Sequence, residues 1–153
     1  WKIYTKGDII RPQYISGESV IERSIIGEGA EIYGEVHNSV IGADVTIEKG
    51  AVVRDSIIMK HSRIGAGSQI DKSIIAESVE VGENVVTGVG EEAPNVLKPA
   101  VYGFGLVTIA ENSVIPSGVK IGKNTAISGE TTAEDYPDGE LVSGGAIVKK
   151  DGE

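Results

Sequence analysis

Aliphatic residues return along this chain at intervals of six, each heading a string with a small or β-branched residue at its fifth position. From Ile41 the strings are IGADVT, IEKGAV and a five-residue VRDSI; from Ile58 they are IMKHSR, IGAGSQ and a five-residue IDKSI. Each block is 17 residues long, and the next opens at Ile75 with IAESVE and VGENVV. The register returns as IAENSV from Ile109, IPSGVK from Ile115 and IGKNTA from Ile121. Fifth positions read Val45, Ala51, Ile57, Ser62, Ser68, Ile74, Val79, Val85, Ser113, Val119 and Thr125. This pattern predicts a short strand and a turn per string. The first residue points inward and the fifth fills a corner. Three strings per turn close a triangular coil, and successive coils stack about 4.8 Å apart through parallel strand pairing. A lone coil exposes its aliphatic edges, so stability must come from neighbouring coils. A sandwich of short strands does not require a constant six-residue register. The expected fold is therefore all-β: a single-stranded parallel β-helix built from hexapeptide repeats.

The same pattern divides the chain. Ser-Ile-Ile or Ser-Val-Ile occurs at Ser24, Ser39, Ser56 and Ser73, at spacings of 15, 17 and 17. The first spacing is short because the string at Ile32 is cut to IYGE. Repeats are expected over residues 15–127. They are interrupted at about 87–106 by TGVGEEAPNVLKPAVYGFGL, which carries Pro94, Pro99 and four glycines and reads as a loop thrown out from the prism. Its Gly88–Gly90 and Gly103–Gly105 pieces read as loop flexibility, and Tyr102 and Phe104 are its candidates for folding back onto a face. Residues 128–153, with Leu141-Val142 and Ile147-Val148, are expected to close the C-terminal end. Residues 1–14 read as a linker entering the first coil.

Composition sharpens this picture. The chain has 21 Ile and 18 Val against 3 Leu, which favours strands over helices, and its 21 Gly imply many tight turns. A formal charge of −9 argues against nucleic acid or an anionic membrane as main partner. With no cysteine there is neither a disulfide framework nor a thiolate metal site. No apolar run is long enough to span a bilayer and no signal peptide is visible, which places the expected site of action in the cytoplasm. A chain beginning at Trp1 rather than Met reads as a piece of a longer protein.

Hexads of this kind are the sequence mark of the left-handed β-helix, and the handedness rests on that resemblance. More specifically, WKIYT at Trp1–Thr5, RPQYI at Arg11–Ile15, NSVIGADVTIEKGAVVRDSIIM at Asn38–Met59, IDKSII at Ile70–Ile75 and ENSVIPSGVKIGKN at Glu111–Asn124 carry a likeness. With these the chain resembles the C-terminal domain of the bacterial glucose-1-phosphate adenylyltransferases over nearly its whole length. The resemblance implies a parent enzyme that joins ATP and glucose 1-phosphate into ADP-glucose and pyrophosphate, with magnesium, for glycogen synthesis. It also implies that the catalytic groups, ATP and magnesium belong to an N-terminal domain absent here, to which residues 1–14 would lead. No catalytic, cofactor or metal residue is then expected in this chain, which alone should be inactive. The family's β-helix domain contributes to tetramer assembly and to allosteric effector sites between domains. Some members place basic residues near the C-terminal end at such a site. Here AEDYPDGELVSGG is acidic, leaving Lys149 and Lys150 as candidate effector contacts. The expected partners are the chain's own catalytic domain and further copies of itself. Apolar Trp1, Ile3, Tyr4 and Tyr14, orphaned without that domain, point the same way.

Two rival functions compete. Hexapeptide acyltransferases use a histidine as general base, and His37 and His61 are the histidines available. His61 falls at the outward fourth position of its string and His37 on the shortened face; a solvated surface role fits both better. The other rival is the β-helix domain of a different sugar nucleotidyltransferase. Finally, the short strings stack Glu22, His37, Arg54 and Asp71 in one row and Arg23, Asn38, Asp55 and Lys72 in the next. Arg54 over Asp71 and Asp55 over Lys72 form an expected charge ladder that would help fix register.

Overall fold

A computed structural model describes residues 11–149. It is a parallel β-helix whose strands pass in strict rotation through three sheets. The first face holds Tyr14–Ile15, Glu31–Ile32, Thr46–Ile47, Arg63–Ile64, Glu80–Val81 and Val114–Ile115. The second holds Val20–Glu22, Glu35–His37, Val52–Arg54, Gln69–Asp71, Val86–Val89, Lys120–Gly122 and Glu140–Leu141. The third holds Ile25–Ile26, Val40–Ile41, Ile57–Ile58, Ser73–Ile75, Val107–Ile109, Ala126–Ser128 and Ala146–Val148. One short 3-10 turn, Ala133–Asp135, interrupts this order.

The interior is the stack of first positions predicted from the hexads. Ile32, Ile47, Ile64, Val81 and Ile115 line up on the first face, and Val36, Val53, Ile70 and Ile121 on the second. Ile41, Ile58, Ile75, Ile109 and Ile127 line up on the third, and all these side chains are buried. Fifth positions of the full hexads, such as Val45, Ala51, Ser62, Ser68, Val79 and Val85, are also buried.

The five-residue strings break the expected rule. Ile57 and Ile74, at their fifth positions, are not the corner fillers: Ile57 is exposed and Ile74 half-buried. The preceding serines, Ser56 and Ser73, take the inner corner instead. A string one residue short has one residue fewer in its turn, so the inward position moves to the fourth place. Those serines form a ladder from coil to coil. The amides of Ser39, Ser56 and Ser73 donate to the hydroxyls of Ser24, Ser39 and Ser56 at 3.0–3.1 Å. Each hydroxyl donates in turn to the carbonyl two residues before it, as Ser56 does to Arg54. Buried amides need partners, and a hydroxyl at this corner supplies one where an aliphatic group would not. The adjoining corner positions Arg23, Asn38, Asp55 and Lys72 all have φ between 42° and 47°, a left-handed conformation usually left to Gly or Asn.

Two boundaries shift. Thr87, Gly88 and Val89 belong to the second face, with a bulge between Thr87 and Val89, so the excursion runs over 90–106. Residues after Ser128 add a further coil to the second and third faces, where a separate closing element was expected. Of the proposed linker, residues 1–10 lie outside the described residues, and Tyr14 already pairs with Glu31.

Candidate functional site

The bulge and the loop shape the far end of the second face. There Val86, Val89, Gly90, Glu91, Lys120, Gly122, Glu140, Val142 and Ser143 line an open groove of about 540 Å³. Its apolar lining comes from Val86, Val89 and Val142. Lys120 is in register with Glu140, so the groove's cation has a carboxylate on the next coil. Ser143 is already engaged: its hydroxyl donates to the Val89 carbonyl at 3.2 Å and accepts the Lys123 amide at 3.1 Å. This arrangement can hold a small amphipathic group, and its one hydroxyl, that of Ser143, is already committed. Among the described residues no cluster of three or more His, Asp or Glu side chains could hold a metal ion. The donor set of the described residues therefore does not fit a magnesium–nucleotide centre. The sequence signal for the groove was the Gly88–Gly90 break, read there as flexibility alone.

The loop beside the groove is pinned. Buried Asn95 donates its amide to the carbonyls of Asn124, at 2.9 Å, and Gly145, at 3.2 Å. Its Oδ1 accepts the amides of Leu97 and Lys98. Asn124 reciprocates, donating to the Ala93 carbonyl and accepting the Gly105 amide. Tyr102 is half-buried, whereas Phe104 does not fold back: it is 94% exposed.

The histidines stand away from this groove. His37 sits between Glu22, at 3.1 Å, and Glu35, at 3.3 Å. His61 is exposed at a left-handed corner, 3.8 Å from Asp44. The ring contacts of both histidines are to carboxylates, Glu22 and Glu35 for His37 and Asp44 for His61.

Register places Glu22, His37, Arg54 and Asp71 in one row. Arg54 and Asp71 are thus stacked, but among the described residues no ion pair joins them or Asp55 and Lys72. The Asp55 carboxylate accepts the Asn38 side-chain amide instead. Ion pairs tie neighbouring coils at Arg63 with Glu48 and Glu80, Lys60 with Glu77 and Arg11 with Glu31, and Lys49 reaches Glu18 across the coil between them. At the far end Lys149 pairs with Asp135 at 2.7 Å. That ammonium group, with the Thr132 amide, holds the Asp135 carboxyl below its ordinary range. Lys150 lies outside the described residues.

The family model described as "GlmU-like, C-terminal hexapeptide" matches residues 13–107, well over half the chain. The chain belongs to that family. Curated relatives within reach of this hexapeptide domain include glucose-1-phosphate adenylyltransferases from three bacteria. The Lachnospira eligens protein is 64% identical over 149 residues, covering 97% of this chain and 35% of the relative. The Acetivibrio thermocellus protein is 43% identical over 149 residues, again 97% and 35%. The Thermotoga maritima protein is 40% identical over 151 residues, 99% of this chain and 36% of the relative. The hexapeptide chain thus spans about a third of the length of the relatives it matches. Among its described residues no helix is long and apolar enough to cross a membrane.

Proposed function

We propose that this chain is the β-helix part of a glucose-1-phosphate adenylyltransferase, the enzyme that converts ATP and glucose 1-phosphate to ADP-glucose and pyrophosphate. One observation carries the reading: 64% identity to a protein of that name along 97% of this chain, within 35% of that protein. In this reading ATP, magnesium and the transfer chemistry belong to the remainder of the longer protein, which works in the cytoplasm. The β-helix is its assembly and regulatory part, with its own catalytic domain and other copies as partners and with neither nucleic acid nor membrane as a target. An effector role for Lys149 and Lys150 belongs here too, and an anion reaching Lys149 would have to replace Asp135. Acyl transfer is disfavoured because both histidines are occupied by, or set beside, carboxylates far from a shaped cavity.

The test is reconstitution. The chain alone should give no ADP-glucose from ATP and glucose 1-phosphate with magnesium, and no turnover of acetyl-CoA. Fused behind the N-terminal two thirds of the Lachnospira eligens relative, it should give ADP-glucose. Turnover of acetyl-CoA by the chain, or an inactive but folded fusion, would overturn the assignment.

A further inference from the structure

Along the second face, the outward row at the end of each strand reads Glu22, His37, Arg54 and Asp71 over the first four coils. Beyond them the row turns apolar and loses a member. Val89 stands opposite Gly122, and Val142 follows on the last coil. A Cβ at Gly122 would collide with the backbone amide of Ser143, so glycine is required there. The gap it leaves between two valines is built into the coil. The neighbouring outward row carries Val86, Lys120 and Glu140 in register. Together these residues make the groove of about 540 Å³, a size common among small-molecule sites.

Three charges flank this gap. Lys120 and Glu140 stand on adjacent coils at one end, and Glu91 stands at the other, next to Gly90 and the Ser143 hydroxyl. All three residues are exposed, and among the described residues the ion pairs fall elsewhere. The groove thus presents a cation and a carboxylate side by side, then an apolar stretch, then a second carboxylate. Its complement is an anion and a cation side by side, an aliphatic stem and a second cation. We propose that the groove binds a free basic α-amino acid of the lysine type. The α-carboxylate accepts from the Lys120 ammonium group, the α-ammonium group donates to Glu140, and the ε-ammonium group donates to Glu91. The stem lies over Gly122 between Val89 and Val142. The two outward rows are about 6.6 Å apart, two residues at about 3.3 Å each, which a four-carbon stem covers. The excess carboxylate, in a chain of net charge −9, favours a singly positive ligand and repels phosphates. This goes beyond the proposed function by assigning the groove a ligand. Binding succeeds or fails whether or not the longer protein makes ADP-glucose.

Titration of the isotope-labelled chain with L-lysine, followed by backbone amide shifts at about 50 mM salt, reads the binding. Saturating shifts are expected at Val89, Lys120, Gly122, Glu140 and Val142, half complete at about 0.1–1 mM ligand for so open a site. Three analogues each lack one group: L-norleucine the ε-ammonium, cadaverine the carboxylate and ε-aminocaproate the α-ammonium. Each should bind about three- to fivefold more weakly than lysine, the worth of one exposed charge pair. The decisive arm removes the matching side chain. Glu91→Gln should erase the preference for lysine over norleucine and keep the other two. Lys120→Gln should erase the preference over cadaverine, and Glu140→Gln that over ε-aminocaproate. All three substitutions are nearly isosteric or on exposed side chains, and unchanged amide shifts over the first four coils confirm folding of each variant. Shifts that never saturate or that spread beyond the groove, analogues that bind as well as lysine, or a preference that survives loss of its matched side chain would overturn the proposal. So would saturation of the same shifts by inorganic phosphate.

Discussion

Ser56 joins three hydrogen bonds in the interior: its amide to Ser39, its hydroxyl to the Arg54 carbonyl, and the Ser73 amide to its hydroxyl. Ser56→Ala keeps the volume nearly unchanged and leaves the Ser73 amide buried without a partner. It should destabilise the protein by about 1–3 kcal/mol, read as a lower denaturant midpoint. Ser24→Ala, at the half-buried start of the ladder, should cost clearly less, and equal losses would contradict the ladder. Tyr136 offers a pH test. Burial pushes its phenol from 10.0 up to about 12; Asp135 adds to the rise, while the hydroxyl of Thr131, 3.1 Å away, works against it. A raised folded value means the contribution is whole below pH 10.0 and is lost as pH climbs toward about 12. Tyr136→Phe should therefore lose less stability than the parent between those limits, measured by thermal melts in a pH series. Parallel alkaline losses in the two proteins would refute it.

At the scale of an element, the excursion over 90–106 behaves as a strap held by Asn95 rather than as free chain. Asn95→Ala removes its contacts to Asn124, Gly145, Leu97 and Lys98 together. Local opening should become easier while the coils below stay paired. Chymotryptic cleavage at exposed Phe104 should accelerate about tenfold or more, with little change in the main melting transition. Unchanged cleavage would mean that the loop is held by something other than Asn95.

Across the molecule, each coil touches only the coils above and below, so damage in the middle and at an end should differ. Ile64 is fully buried on the first face, with Ile47 on one side and Val81 on the other. Ile64→Ala should cost about 2–5 kcal/mol and divide the stack. Ile147 is half-buried in the last coil, paired with Ile127 alone. Ile147→Ala should only fray that coil. Hydrogen exchange should show weakened protection spreading to both sides of Ile64 in the first variant and confined beyond Thr125 in the second. Uniform loss in both would indicate a single cooperative unit.

The period of six, the small fifth positions and the excess of Ile and Val over Leu sufficed for the architecture. A coil can repeat only if its inward positions repeat, so the fold is written locally and read off the chain. The third face's doubled aliphatics, Ile25-Ile26, Val40-Ile41, Ile57-Ile58 and Ile74-Ile75, were visible too, but their meaning was not. Which member of Ile57-Ile58 points out depends on how a shortened corner redistributes its residues, and that is settled only when the coil closes. The charge ladder shows the same division. Spacing alone stacked Arg54 on Asp71, while whether the side chains touch depends on how they leave the face and what else they can reach. The groove by Lys120 and the Asn95–Asn124 clasp join residues separated by a loop without periodicity. Contacts of that range obey no repeat, and only the folded chain brings their partners together.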